Sequence, residues 1–160
     1  MLIGRMDPKE SDAFLSRVGF GRLACARNNE PYIVPIYFGH QPGRLYGFAA
    51  FGQKIEWMRE NPRVCVQVDE ISAPDDWTSV VVRGRYEELP DSIEHIEKRK
   101  WALSLLEAKA PSWGVAFAAS RVRTSPNTHP AVFYCIHIEA LSGVRGSPGD
   151  KIVETFRLKV

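Results

Sequence analysis

The 160-residue chain predicts a β-rich α+β domain, with six or so strands in an antiparallel barrel and helices packed outside it or closing its ends. Three observations carry that expectation. Short segments alternate apolar and polar residues with a period of two, as in Arg63–Asp69 (RVCVQVD). Turn residues such as Asn28-Asn29 and Gln41-Pro42-Gly43 separate them at short intervals. The connections are mostly too short for the crossover a parallel pair needs, and barrel closure removes exposed edges.

The elements follow in order. Asp7-Pro8 reads as an N-cap followed by proline at the first helical position, and Phe14, Leu15 and Val18 supply the apolar stripe of a helix over about 8–18, ending near Gly19. Phe20–Ala26 (FGRLACA) reads as a strand, Tyr32–Phe38 as a second and Arg44–Ala50 as a third. Pro35 cannot donate to a ladder, so it demotes its side of the second strand to an edge, a bulge or a face covered by another molecule. Residues 53–60 form a short amphipathic helix ended by Asn61-Pro62, and Arg63–Asp69 returns as a strand. Ile71–Asp76 reads as a polar loop, and Trp77–Glu87 as a long strand with Gly84 a bulge or close-approach point. Asp91-Ser92-Ile93-Glu94 fits a capping box opening a helix over about 91–110, with Ile93, Ile96, Leu103 and Leu106 at helical spacing and Trp101 and Leu105 beside them. Residues 111–130 read as a loop with one helical turn, Ala131–Leu141 as the last strand, and Lys151–Val160 as a short strand or loose tail.

At this length a single domain over 1–160 is expected, burying about two-thirds of its unfolded surface. A net charge of +2 with scattered Lys and Arg argues against nucleic acid; Lys98-Arg99-Lys100 and Arg121-Val122-Arg123 read as solvated faces. No run approaches the ~18 apolar residues of a membrane helix, and MLIGRMDPKE lacks a secretory apolar core, so the expectation is a cytoplasmic protein. Cys25, Cys65 and Cys135 lie far apart in apolar runs and read as buried thiols rather than zinc ligands or disulfide partners. His40, His95, His129 and His137 share no ligand spacing, so no metal is expected.

The segment most informative for function is Tyr32–Pro62. Two strands run into Gly52-Gln53-Lys54, which open the 53–60 helix. Free backbone N–H groups, the positive end of the helix dipole and an ammonium converge there, which is a ready anion site. Against a barrel wall, it points to a phosphate-bearing ligand laid along the sheet.

In order, VGFGRLACA, PYIVPIYF, GRLYGFAAFGQKIEWMRENPRVCVQVDE and WTSVVVRGRYEEL resemble the FMN-binding split barrel of the pyridoxamine 5′-phosphate oxidase-like superfamily, nearest its nitroimidazole-resistance (Nim)-type branch. The resemblance covers roughly residues 8–90 and the strand ending at Leu141. It implies a six- to seven-stranded antiparallel split barrel and a homodimer holding two FMN molecules between subunits. It implies that Val34, Pro35, Ile36 and Tyr37 run beside the isoalloxazine, and that Phe48, Ala49, Ala50, Gly52, Gln53 and Lys54 wrap the ribityl chain and phosphate. Gln53 and Lys54 would be the phosphate contacts, and Ser79 falls where the oxidase branch has a Gln reaching toward the ring. Where that branch has an Arg-x-Val-Leu-Leu-type strand this chain has IVPIY, and its C-terminal Trp and Arg find only a faint echo in Phe156-Arg157-Leu158, which argues against the pyridoxine-phosphate reaction itself.

The function so implied is an FMN-dependent oxidoreductase passing reducing equivalents from a reduced nicotinamide to a small organic acceptor, a nitro compound or quinone. The alternative is a flavin or haem carrier or sensor of the same fold; some relatives use a deazaflavin, and others bind haem through a His. An empty barrel acting through its dimer interface is the third reading. Trp77 either caps the flavin or plugs the barrel end, Arg22 reads as a surface residue, and Trp57 and Met58 as core.

Overall fold

The computed structural model describes residues 1–109 and 131–149. The chain runs β1 (Leu2–Met6), α1 (Pro8–Val18), β2 (Phe20–Arg27), β3 (Glu30–Tyr37), β4 (Gly39–Gln41), β5 (Arg44–Ala50), α2 (Gln53–Glu60), β6 (Arg63–Ala73), β7 (Asp76–Leu89), a 3-10 turn (Ile93–His95), α3 (Ile96–Lys109) and β8 (Ala131–Ser147). The Asp7 side chain accepts from the Glu10 amide while Glu10 accepts from the Asp7 amide, both at 2.8 Å, and this capping box with Pro8 starts α1. Gly19, at φ +67°, ends it in the left-handed region. Asn28 and Asn29, at φ 51° and 65°, give the β2–β3 hairpin the positive-φ turn that matches strand twist.

All eight strands join one sheet, ordered β3-β2-β6-β7-β8-β5-β4, with β1 pairing β8; every pair is antiparallel. The β-rich barrel expected from the sequence is present, with β1 and β4 as short additions to it. The hydrogen-bonded path is open: β3 and β4 remain edges, so the barrel is split, as the resemblance implied. Pro35 lies on edge strand β3, the placement its missing donor requires.

Inside the barrel, Leu23, Ile36, Phe38, Leu45, Val66, Val68, Val80, Val82, Tyr134 and Ile136 pack with Phe14 and Leu15 of α1 and Ile55, Trp57 and Met58 of α2. Trp57 and Met58 are core residues, as expected. A second cluster, Tyr46, Leu89, Phe133 and Cys135, is covered by Ala102 and Leu106 of α3.

Five local expectations are corrected. The 71–76 segment is not a loop: β6 continues to Ala73 and β7 begins at Asp76, so the two strands extend almost to their hairpin turn. Asp91 opens no capping box; Ser92 caps a 3-10 turn and its hydroxyl engages His95 Nδ1 at 2.9 Å, a local bond that competes with helix start. Of the proposed apolar stripe only Leu106 is fully buried, joined by Ala102, while Ile93, Ile96 and Trp101 are exposed. His40 belongs to β4 rather than a turn, held by Asp12 at 2.9 Å. The last strand runs six residues past Leu141, because β1 and β7 both pair with that extension. Residues 111–130 and 151–160 lie outside the described residues.

A candidate phosphoester site in the split of the barrel

The open edge of β3 faces the chain that follows β5. Pro35, Ile36 and Tyr37 of β3, Phe48 of β5, Phe20 of β2 and Lys54 of α2 line one pocket of about 330 Å³. Three sequence-distant stretches therefore meet where the ladder is interrupted. Strand alternation puts Pro35 and Tyr37 on the outward face and Ile36 in the core. Phe20 and Tyr37 are direct cross-strand partners with ring centroids 4.8 Å apart, and together they form an aromatic lip.

Lys54 carries the charge of this pocket. It is half-buried, and among the described residues no carboxylate or hydrogen-bond acceptor meets its ammonium. Burial pulls its pKa below the ordinary lysine value, and the nearby Cys25 thiol pushes weakly the other way. An ammonium held out of water without a counter-ion is a costly arrangement that a bound anion would relieve. The start of α2 adds to it: Gly52 offers no side-chain cap, and the Ile55 and Glu56 amides return to the Gly52 carbonyl, leaving the Gln53 and Lys54 amides open at the positive end of the helix.

The other expected residues fall around this centre with different access. Val34 is half-buried and packs against the core, Ala49 is buried within it, and Ala50 and Gln53 are exposed at the rim. Gly52 has open space where a Cβ would project. Ser79 lies two strands away, in a separate pocket of about 370 Å³ with Arg22, Gln67, Asp69 and Trp77. There Arg22 pairs with Asp69, and Gln67 Nε2 donates to Ser79 Oγ at 3.3 Å. Trp77 lies over Gly146 on the outer sheet face rather than plugging the barrel end. Phe20 was missed in the sequence; its signal is position, the first strand residue after the helix-ending Gly19, directly across from Tyr37.

Burial pushes the thiols of Cys25, Cys65 and Cys135 up, that of Cys135 to about 11. His137 pairs with Glu87, and no group of three metal-ligating side chains occurs among the described residues. No described helix is long and apolar enough to cross a membrane.

A barrel split at a proline-bearing edge strand, with a half-buried lysine that meets no acidic group among the described residues at its mouth, is a candidate anion site. The sequence matches the pyridoxamine 5′-phosphate oxidase family over residues 7–145, and the chain belongs to that family. It is similar to an uncharacterized protein of Rhizobium meliloti (strain 1021), 36% identical over 150 residues, which are 94% of this chain and 99% of that one. Its fold is similar to that of an FAD-binding protein from Mesorhizobium loti, with 42% identity, TM-score 0.75, and 92% of this chain matched to 99% of the other. A candidate 5-nitroimidazole antibiotic resistance protein from Bacteroides thetaiotaomicron shares the fold at 17% identity and TM-score 0.63, over 91% of this chain and 90% of that one.

Proposed function

We propose that this chain is a homodimeric flavin-dependent oxidoreductase that takes reducing equivalents from a reduced nicotinamide and delivers them to a small organic acceptor such as a nitro compound or quinone. The observation that carries the reading is Lys54, a half-buried cation without a counter-ion among the described residues, in a pocket whose other described walls are apolar and aromatic. That combination suits a riboflavin phosphate, the FMN unit: an anion at one end and a flat, largely apolar ring at the other. The Mesorhizobium loti protein, described as FAD-binding, supports a flavin as the ligand class.

In this reading the open edge of β3 offers backbone groups to the polar rim of the ring, Pro35 and Tyr37 form its wall, and Lys54 with the open α2 amides holds the phosphate. The flavin supplies the redox chemistry when bound. A second copy covers the outward sheet face, where Ile33 and Tyr37 are 62% and 47% exposed.

The test is direct. Purified protein should be yellow, release flavin on denaturation and undergo anaerobic reduction by NADH or NADPH. Colourless protein that cannot be reconstituted overturns the reading. One observation favours a second reading, a flavin carrier or sensor without turnover: among the described residues that line the pocket there is no carboxylate or histidine to move a proton. A bound flavin that neither nicotinamide reduces would select it.

A further inference from the structure

We propose that the groove between α1 and the β4–β5 hairpin is a second ligand site, separate from the flavin pocket, and that it takes an apolar monocarboxylic acid. The groove holds about 660 Å³, within the range of small-molecule sites, and shares no residue with the pocket around Lys54.

Its walls follow from how α1 is seated and how the hairpin turns. Lys9, Asp12 and Ser16 recur at three- and four-residue spacing, so one face of α1 presents all three to the groove. That helix is fixed against β8: Glu10 pairs with Arg145, and the Ser11 hydroxyl occupies the place a Cβ on Gly143 would need. Opposite, Gly43 takes φ +78° in the hairpin turn, and its carbonyl accepts from the Ile138 amide at 2.9 Å. Both walls are held by contacts of their own, so the space is formed before any ligand enters. Ala13, Pro42, Ile138 and Leu141 line it with apolar surface.

The polar groups are arranged unlike those of a solvated face. His40 lines the groove, yet its side chain is only 4% exposed. Asp12 Oδ1 lies 2.9 Å from its Nε2; a carboxylate only accepts, so Nε2 carries the proton. Nδ1 is then an acceptor with no partner among the described residues, a costly state for a group so buried. Lys9 and Asp12 are the titratable groups that face His40 from α1. The turn and β8 contribute Pro42, Ile138 and Leu141, the partner on β5 is Leu45, and α3 meets β4 through Leu105 at Gly39.

Asp12 is engaged with His40 and Glu10 with Arg145, which leaves Lys9 as the cation of the groove with no acid against it among the described residues. The groove therefore lacks an anion at Lys9 and a proton at His40 Nδ1. A carboxylic acid brings both. Its carboxylate meets the ammonium, and one proton settles on Nδ1, which then donates to a carboxylate oxygen while Asp12 steadies the imidazolium from the other side. One carboxylate and one solvent proton enter together, and no other bond changes.

Titration calorimetry of the purified protein tests this, with 2-naphthoate and octanoate as probes and their uncharged amides as controls. At least one carboxylate should bind saturably, at least about tenfold more tightly than its amide. Runs at pH 7.5 in two buffers of different ionisation enthalpy should show proton uptake on binding. Lys9→Gln should weaken the carboxylate by about tenfold or more, leave the amide unchanged and keep the flavin content of the wild type. His40→Gln should abolish the proton uptake; where that variant fails to fold, the Lys9 variant and the wild-type buffer comparison decide. No saturable binding up to about 10 mM, equal affinity for acid and amide, binding without proton uptake, or affinity that survives Lys9→Gln overturns the proposal. None of these results bears on the flavin pocket, whose own test is the colour of the protein.

Discussion

Strand β8 is 17 residues long, pairs with β1, β5 and β7, and buries Val132 to Ile136 without interruption, because the barrel core covers one face and α3 the other. Strand β3 is eight residues long, pairs among the described residues only with β2, carries Pro35 in mid-run and leaves Ile33 and Tyr37 partly exposed. The first is a scaffold strand, buried on both faces over Val132–Ile136 and laddered on both edges over Phe133–His137. The second leaves one backbone edge outside the ladder and Ile33 exposed on its outward face. If β3 carries the proposed site, stability and recognition are separated by position in the sheet, and perturbing one should have little effect on the other.

The largest effect should come from the scaffold. Ile136 is fully buried, and Ile136→Ala removes apolar volume that neighbouring strands cannot collapse to fill; the expected loss is about 2–5 kcal/mol of unfolding free energy, read by urea denaturation. The chemically identical change Ile33→Ala on β3 should cost under about 0.5 kcal/mol in the ligand-free monomer. Comparable losses at the two sites would erase the distinction between the strands.

Next in size is Lys54→Ala. Losing a charge-assisted phosphate contact should weaken flavin binding by about 1.5–3 kcal/mol, on the order of 10- to 100-fold in Kd. Stability without ligand should hold or rise slightly, since the variant removes a half-buried, unpaired ammonium. A variant that binds flavin like the wild type would remove the anion site from the β3 side of the molecule.

The two regions also differ in how much of them the sequence made legible. The β5 and α2 boundaries, the α1 cap and the 83–84 irregularity could be read because each has a local cause: strict alternation, Asp-Pro, a glycine within a strand. Strands β1 and β4 could not, since LIGRM and GHQ are strands only because β8 and β5 offer them ladders. The length of β8 is hidden for the same reason: Ser142 to Ser147 looks like loop until β1 and β7 pair with it. At the site, Lys54 was legible as the cation of a helix start, and Pro35 as an edge marker. Phe20 was not, because its role depends on the β2–β3 register that brings it against Tyr37. The separation of Ser79 from Lys54 is likewise a property of strand order, with β2 and β6 lying between β3 and β7.

A pH titration sharpens the comparison on a smaller scale. Lys54 has its folded-state pKa depressed by burial, with Cys25 the titratable neighbour acting on it. The sign follows from proton binding: between the depressed value and the unfolded lysine value near 10.4 the unfolded chain holds more protons, so apoprotein stability rises with pH across that window. Flavin affinity should fall across the same window, as the ammonium that meets the phosphate loses its proton. Lys54→Arg should abolish both trends within the range where the protein stays folded. Flat profiles for the wild type would mean that the ammonium is solvated and unperturbed.

The smallest effect on folding, and the most selective one, is expected at Ile33. Ile33→Arg places a charge in the middle of the bare β3 face, at a residue already exposed, so unfolding of the chain itself should shift by less than about 0.5 kcal/mol. If a second copy covers this face, the same charge must be buried without a partner on association, and two-fold symmetry makes each dimer bury it twice. Sedimentation should then report a dimer for the wild type and a monomer for the variant at equal protein concentration, with circular dichroism unchanged. Flavin affinity should fall alongside, since a cofactor pressed between two barrels loses one of its walls. A variant that remains dimeric would put the interface elsewhere on the molecule and leave β3 as a one-sided ligand edge.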